Sequence, residues 1–529
     1  MTAERGFSRQ LNFIETVAIS LAILSPTATA AITPSLTAAE AGAAGPLAFL
    51  LAGITAALIA FSFAQFARRF AHAGSISAYN TAAIGPRYGF VSGWLLAGVY
   101  TAFAAAIWGQ FGDYFAVFWA SLTGSANGPY WIWPALAGAA VAWVLAHRSL
   151  QMSTRLLLIL EAASLSLIIA VACLILVRGG AHGIGVSPID THGVPMSAIG
   201  LGMVFAFLSY AGFEGAATLG EESRDPHRAI PRALIGCVVV VAVLFVFMSW
   251  VETVGFGTGG IKELASSPAP LADLARRFAD PEVATLIYLG ATASAFGAAL
   301  ACVNAAARIV FSLSRQGLLP SALNRVHPRF ASPYRAVAVV MAISVVTAIV
   351  LAPFASGVDV FGYLGTLGSL WIMVAYLLTV VASVIYFGRR RLWRPPVFVI
   401  PVAACAVLGY VLYSNVVPFP ASPYNIVVCV AAAYLLLGIL LVPVLRRRMV
   451  SAAGPGEPAA AVRAVAPLPV PGEAAQLEGQ PELHARMLGR ELSAGQFLDP
   501  AHPVAQRIAV HAEVRGGPLP VLTVPQQRL

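Results

Sequence analysis

Apolar runs close to the ~20 residues that a helix needs to cross the hydrocarbon of a bilayer recur between residues 14 and 445 of this 529-residue chain. No other feature narrows the possible folds so far. Backbone placed in lipid must satisfy its own hydrogen bonds, and an α-helix does so within a single segment. Hydrophobic residues make up 59% of the positions and charged residues 10%, whereas soluble domains carry about 25% charged residues. A chain so poor in charge cannot cover a water-facing surface, so the reading is an all-α polytopic membrane protein.

Hydropathy and turn signals together predict twelve spans, at 14–38, 46–70, 88–120, 130–147, 153–177, 197–219, 232–256, 283–313, 336–353, 358–387, 397–417 and 423–445. The first run follows Arg5 and Arg9 and taken alone has the look of a signal peptide. Eleven further spans and the lack of a convincing small-residue cleavage site argue for a first span instead. With the N-terminus inside, the inner segments before residue 451 hold 22 Lys and Arg; the outer loops hold four, Arg178, Lys262, Arg276 and Arg277. That bias predicts cytoplasmic termini and a cytoplasmic-membrane location. It also accounts for the formal charge of +9 without a nucleic acid partner; the partner surface is the lipid bilayer. The expected organisation is a cytoplasmic N-terminus (1–13), a core of spans one to ten (14–387), spans eleven and twelve (388–447), and a cytoplasmic, mostly disordered tail (448–529). The tail is rich in Ala, Pro, Gly and Gln and gives no sign of packing a core.

The five cysteines lie singly in apolar runs and read as small core residues. The nine histidines show no ligand spacing, so no metal is expected. No Gly-rich phosphate loop is present, and no paired catalytic constellation faces one side. Neither a cofactor nor an enzymatic activity is expected.

Two spans are interrupted. Ser25-Pro26-Thr27 falls inside the first, followed by Thr29, Thr33 and Pro34; proline removes a donor and clashes with the preceding turn. Phe207 to Glu214 puts Gly212 and an acid into the sixth. Freed backbone at membrane depth survives where it is packed in protein or lines a wet cavity. Spans one and six are corresponding members of two successive five-span units. This points to a 5+5 inverted repeat with broken helices 1 and 6 and two further C-terminal helices, the substrate lying between the breaks.

Three stretches resemble the amino acid–polyamine–organocation superfamily of permeases. Residues 66–79 (FARRFAHAGSISAY), continuing to Gly85-Pro86-Arg87 and Gly93-Trp94, are similar to the family's inner loop between spans two and three. Gly212-Phe213-Glu214, Glu221-Glu222 and residues 225–232 (DPHRAIPR) resemble the end of span six and its following loop. Residues 304–308 (NAAAR), 314–320 (SRQGLLP) and 326–329 (VHPR) resemble the end of span eight and the loop after it. With the span pattern, the similarity covers about residues 10–447. Many family members have a Gly-Ser-Gly type break in span one; Ser25 to Thr29 stands there in this chain, and Pro and β-branched Thr leave its backbone less freedom to close on a substrate.

The resemblance implies secondary active transport of amino acids or related amines by alternating access. Thr27, Ala28 and Thr29 would serve a substrate carboxylate, at the positive end of the outer half-helix, and Ser25 is a further substrate-binding candidate beside them. Phe207, Ser209, Tyr210 and Ala211 would serve the ammonium and side chain, at the negative end of the inner half, and Gly212 is a further substrate-binding candidate. Glu214 is an acid within the membrane, costly there and so a candidate gate residue. Glu161 stands where a proton-coupled family member carries a Lys, and a carboxyl removed from water favours its neutral form. It is the candidate carrier of a coupling proton. Asp113 and Glu252 are read as lying near the outer interface without a role, and Trp94, Trp108, Trp131 and Trp133 as interface anchors. An exchanger, a carrier of polyamine or another organocation, and a non-transporting sensor of the same fold stay open at this point.

Overall fold

A computed structural model describes residues 23–452 together with Val17 and Leu21, apart from residues 71–74, 126–127, 147–149, 186, 220–222, 224, 328–331 and 392–393. The N-terminal segment 1–13 and the tail beyond residue 452 lie outside the described residues. So do residues 71–74, Glu221, Glu222, Pro328 and Arg329 of the motif stretches.

The described residues contain no β-strand. Their helices, in chain order, are α1 (Pro26–Ala30), α2 (Thr33–Ala41), α3 (Gly45–Ala67), α4 (Ser75–Ile84), α5 (Pro86–Thr123), α6 (Ile132–Ala146), α7 (Leu150–Val177) and α8 (Met196–Tyr210). There follow α9 (Pro226–Phe256), α10 (Ile261–Ser266), α11 (Pro270–Phe278), α12 (Pro281–Arg315), α13 (Tyr334–Leu351), α14 (Gly357–Arg389), α15 (Pro395–Val416) and α16 (Tyr424–Ala452). Nine helical stretches among the described residues are long and apolar enough to cross a membrane, and α6 and Glu161–Val177 are shorter apolar helices. The chain is a polytopic integral membrane protein. Only a lipid surround accounts for outward side chains such as Val243, Leu440 and Val399, which are about two-thirds exposed.

Helix α5 forms the centre, packing along α12 and α14. In its most apolar window 83% of residues are buried, whereas in α16 only 17% are, so α16 lies at the periphery. Between apolar helices in lipid, association comes from close packing instead of water exclusion, which favours small residues at contacts. Gly109 on α5 shows the constraint: a Cβ there would stand 2.6 Å from the carbonyl oxygen of Gly357. Beside this contact the Asp113 carboxylate accepts the backbone N–H of Val358 at 2.6 Å. Asp113 therefore caps the first turn of α14, where unpaired amides favour an anion.

Several expectations are corrected. Helix α9 begins at Pro226, six residues before the predicted span, because proline is tolerated at the first helical position, where its missing N–H is not needed. Helix α16 continues through Arg446–Arg448 to Ala452, while its apolar span ends at Leu445, where the predicted span ends. Glu252 is not at an interface: it is fully buried, and neither carboxyl oxygen has a partner among the described residues. Of the four tryptophans, only Trp133 is well exposed. Trp108 is enclosed among Phe111 and Phe296, Trp131 donates to the Ala355 carbonyl at 3.2 Å, and Trp94 stacks on Tyr434 and donates to its carbonyl at 3.1 Å. Their rings bind helix to helix.

Candidate substrate site between the helix breaks

The first break is local in origin. Ser25 has φ +47 and ψ +63, a left-handed conformation unusual for a residue with a Cβ. Its N–H still closes the preceding turn onto the Leu21 carbonyl at 3.0 Å, and Pro26 then starts α1 in a new direction. A second interruption at Ala31–Ile32 follows from Pro34, which has no N–H to continue α1 into α2. The sixth span breaks after Tyr210: Ala211 is extended and Gly212 has φ +111, before a 3₁₀ turn over Phe213–Leu219. Glycine is needed at 212, since φ is positive there and a Cβ would also run into the Ile23 side chain.

The two breaks meet. A cavity is lined by Ile23, Leu24, Ser25, Thr29 and Thr33 from the first, and by Leu208 and Ala211 from the second. Phe103, Ala106, Ile107 and Gln110 of α5 and Phe361 and Gly365 of α14 complete it. It offers about 30 Å³ to a water-sized occupant, room for about two waters. An amino acid or amine enters only if the walls move apart.

Of the residues expected to hold substrate, Ser25, Thr29 and Ala211 line this cavity. Thr27, Ala28, Phe207, Ser209 and Tyr210 are buried beside it without lining it. The Tyr210 hydroxyl donates to the Phe49 carbonyl at 2.9 Å, and Phe207 packs edge-on against Tyr376. Gly212 shapes the bend. Sequence reasoning missed the α5 and α14 walls and Thr33, a lining residue whose hydroxyl has no partner among the described residues. Gln110, a carboxamide inside an apolar run, was the available signal.

Glu161 is placed at the first break. Its Oε1 accepts the Thr27 N–H at 2.8 Å, while Ser294 of α12 accepts the Ala28 N–H at 3.3 Å and bonds the Ser25 hydroxyl at 2.7 Å. The Ala28 carbonyl accepts from Gln110 at 3.1 Å and Tyr114 at 3.3 Å. Glu214 does not line the cavity either. It accepts the Tyr100 hydroxyl at 2.5 Å, the Tyr376 hydroxyl, and the Gly212 N–H at 3.2 Å. A buried carboxyl with three donors ties the second break to α5 and α14. Among the described residues no group of acids, histidines or cysteines is arranged to hold a metal.

A membrane-embedded helical bundle with a small cavity between two broken helices is an architecture that suits a permease. The family profile described as amino acid permease matches residues 11–442, and the chain belongs to this family, within the amino acid–polyamine–organocation superfamily. An uncharacterised transporter of Mycobacterium tuberculosis is 29% identical over 418 residues, 76% of this chain and 86% of the relative. A methylthioribose transporter of Bacillus subtilis is 25% identical, over 78% of this chain and 89% of its own length. A branched-chain amino acid permease of the same organism is 26% identical, over 56% and 66%.

Proposed function

We propose that this permease is a secondary active transporter of amino acids or related amines, working by alternating access across the cytoplasmic membrane and energised by protons. Its twelve spans form two inverted five-span units (14–387) followed by two further spans (388–447). Both termini are cytoplasmic.

The cavity carries this reading. Two helix interruptions nearly 190 residues apart in sequence converge on it, and interrupted helices at membrane depth are kept where they line such a site. The substrates for which the two Bacillus relatives are named, methylthioribose and branched-chain amino acids, are both small organic solutes. In this reading Ser25, Thr29 and Ala211 touch substrate, and Thr27, Ala28, Phe207, Ser209, Tyr210 and Gly212 hold the breaks in shape behind them. Glu214 serves as the gate, because the three groups bonded to it belong to helices that must move relative to one another. Glu161 carries the coupling proton. Charge-assisted hydrogen bonds are about twice as strong as neutral ones, so protonation loosens its hold on the Thr27 amide and frees the first break.

Proteoliposomes provide the test. Wild type is expected to show counterflow of a radiolabelled amino acid or amine, and accumulation when an inward proton gradient is imposed. Glu161→Gln retains counterflow and loses the gradient-driven accumulation. Binding without counterflow in wild type would instead make the protein a sensor, and accumulation by Glu161→Gln would move the proton elsewhere.

A further inference from the structure

Glu252 stands on α9 one turn before the helix ends at Phe256, and takes no part in the proposed transport mechanism. It is fully buried, and neither carboxyl oxygen has a partner among the described residues. Other acids within the spans are held. Asp113 accepts the Val358 N–H, Glu161 the Thr27 N–H, and Glu214 two tyrosine hydroxyls. A carboxylate buried without a donor is strongly disfavoured, whereas a protonated carboxyl loses far less by standing alone. An intramembrane acid so costly to keep points to a site.

None of the described charged groups on the elements packed against α9 bonds this carboxyl. Glu161 and Glu214 are engaged as above, Arg277 pairs with Glu263, and Arg276 with Asp273. Glu40, Lys262 and His182, the last beside Gly257, are exposed. The group that bears on Glu252 is Tyr114 of α5, whose hydroxyl lies near enough to interact with the carboxyl electrostatically. Asp113 and Tyr288 are the other titratable neighbours of that hydroxyl. Tyr114 is buried and has one O–H to give. It gives it to the Ala28 carbonyl at 3.3 Å, a long bond that Gln110 duplicates at 3.1 Å. Tyr114 therefore links Glu252 to the first break.

We propose that Glu252 is a proton-binding site distinct from the coupling site, and that its charge decides which acceptor the Tyr114 hydroxyl serves. With the proton bound, one carboxyl oxygen carries the O–H bond, the group is uncharged, and Tyr114 stays on Ala28. On release the proton goes to water past Gly257, where α9 ends. The carboxylate then draws the Tyr114 O–H from Ala28, since a bond to a charged acceptor is about twice as strong as a neutral one. The Ala28 carbonyl keeps one side-chain tie of two, and the first break loosens. Among the described residues no group of acids, histidines or cysteines could hold a metal ion there instead.

The test needs no substrate, and its failure leaves the proposed transport standing. Hydrogen–deuterium exchange of residues 23–34 is followed on the full chain in nanodiscs between about pH 5 and about pH 8, corrected for the intrinsic pH dependence of exchange. Glu161→Gln is the background, because it keeps an acceptor oxygen for the Thr27 amide and does not titrate. Protection of the segment is expected to fall at least threefold as pH rises. It should stay level once Glu252→Leu or Tyr114→Phe is added. Glu252→Leu removes the titrating group without stranding a partner, and Tyr114→Phe leaves the carboxyl in place. Infrared difference spectra at about pH 5 give the second readout: a protonated-carboxyl band present in the background and in Tyr114→Phe, and missing in Glu252→Leu. Protection that does not change with pH in the background overturns the proposal, as does a fall that survives Glu252→Leu. A fall that survives Tyr114→Phe overturns the link to the break. If Glu252→Leu removes no protonated-carboxyl band, Glu252 binds no proton and the proposal fails.

Discussion

Glu161 Oε1 accepts the backbone N–H of Thr27 at 2.8 Å, joining residues 134 positions apart. Ser25 occupies the N-cap position of α1 yet makes no capping bond with its side chain; its hydroxyl is turned to Ser294 instead. The cap is supplied from two other helices, Glu161 on α7 and Ser294 on α12. A capping group borrowed in this way makes the shape of the break depend on how three helices sit together. The proposed alternating-access mechanism would draw on that dependence.

Gly212 is the residue at which the second break is most easily damaged. Any side chain there meets Ile23 and forces a non-glycine residue to φ +111, strain of about 1–3 kcal/mol. Gly212→Ala should reduce uptake several-fold and Gly212→Leu should abolish it, with surface expression retained. Uptake per surface-expressed molecule is the measurement, and wild-type uptake by Gly212→Leu would argue against a site at the breaks.

The Glu214 network should behave as a unit. Tyr376→Phe or Tyr100→Phe alone leaves a buried carboxyl short of a donor, a loss of about 1–3 kcal/mol. In a Glu214→Gln background the same tyrosine changes should cost less, with a coupling of at least about 0.5 kcal/mol in a double-mutant cycle followed by thermal unfolding. Strict additivity would mean that the three side chains act separately.

Glu252 presents the opposite case, a fully buried carboxyl with no partner among the described residues. Replacing an unpaired buried polar group with an apolar one of similar size is neutral or stabilising. Glu252→Leu should leave the melting temperature unchanged or raise it, whereas Glu214→Leu, which strands two tyrosine hydroxyls, should lower it. A fall of several degrees in Glu252→Leu would show that this carboxyl has a partner in the membrane.

Topology is tested by labelling. With 22 basic residues assigned inside and four outside, a cysteine at Ser266 should react with an impermeant reagent on intact cells, and one at Ser451 should react only after permeabilisation. The background should lack Cys173 and Cys429, the two native cysteines on the exterior of the bundle. Labelling of the Ser451 position in intact cells would reverse the orientation.

The features legible in the sequence are those that act on their own backbone or their own segment. Run length decides whether a helix can span. Pro26 and Pro34 remove amides wherever they stand, and Gly212 admits a positive φ without help from neighbours. Both breaks were therefore visible before any tertiary contact was known, and the match between spans one and six could be drawn from their positions alone.

What touches what was decided by packing. Nothing local separates Phe103, on the cavity wall, from Phe90, buried in the bundle. Both are phenylalanines in one apolar helix, and only the neighbours of α5 determine which face looks into the cavity. The same holds for Trp94, Trp108 and Trp131, whose apolar rings and single N–H suit an interface or a helix contact equally well. Ser25 to Thr29 carried the signature of an open anion site because free amides are the default at the start of a helix. Only the tertiary structure brought the acceptors of Glu161 and Ser294 onto them, since a hydrogen bond between residues more than a hundred positions apart depends on how the helices between them fold back.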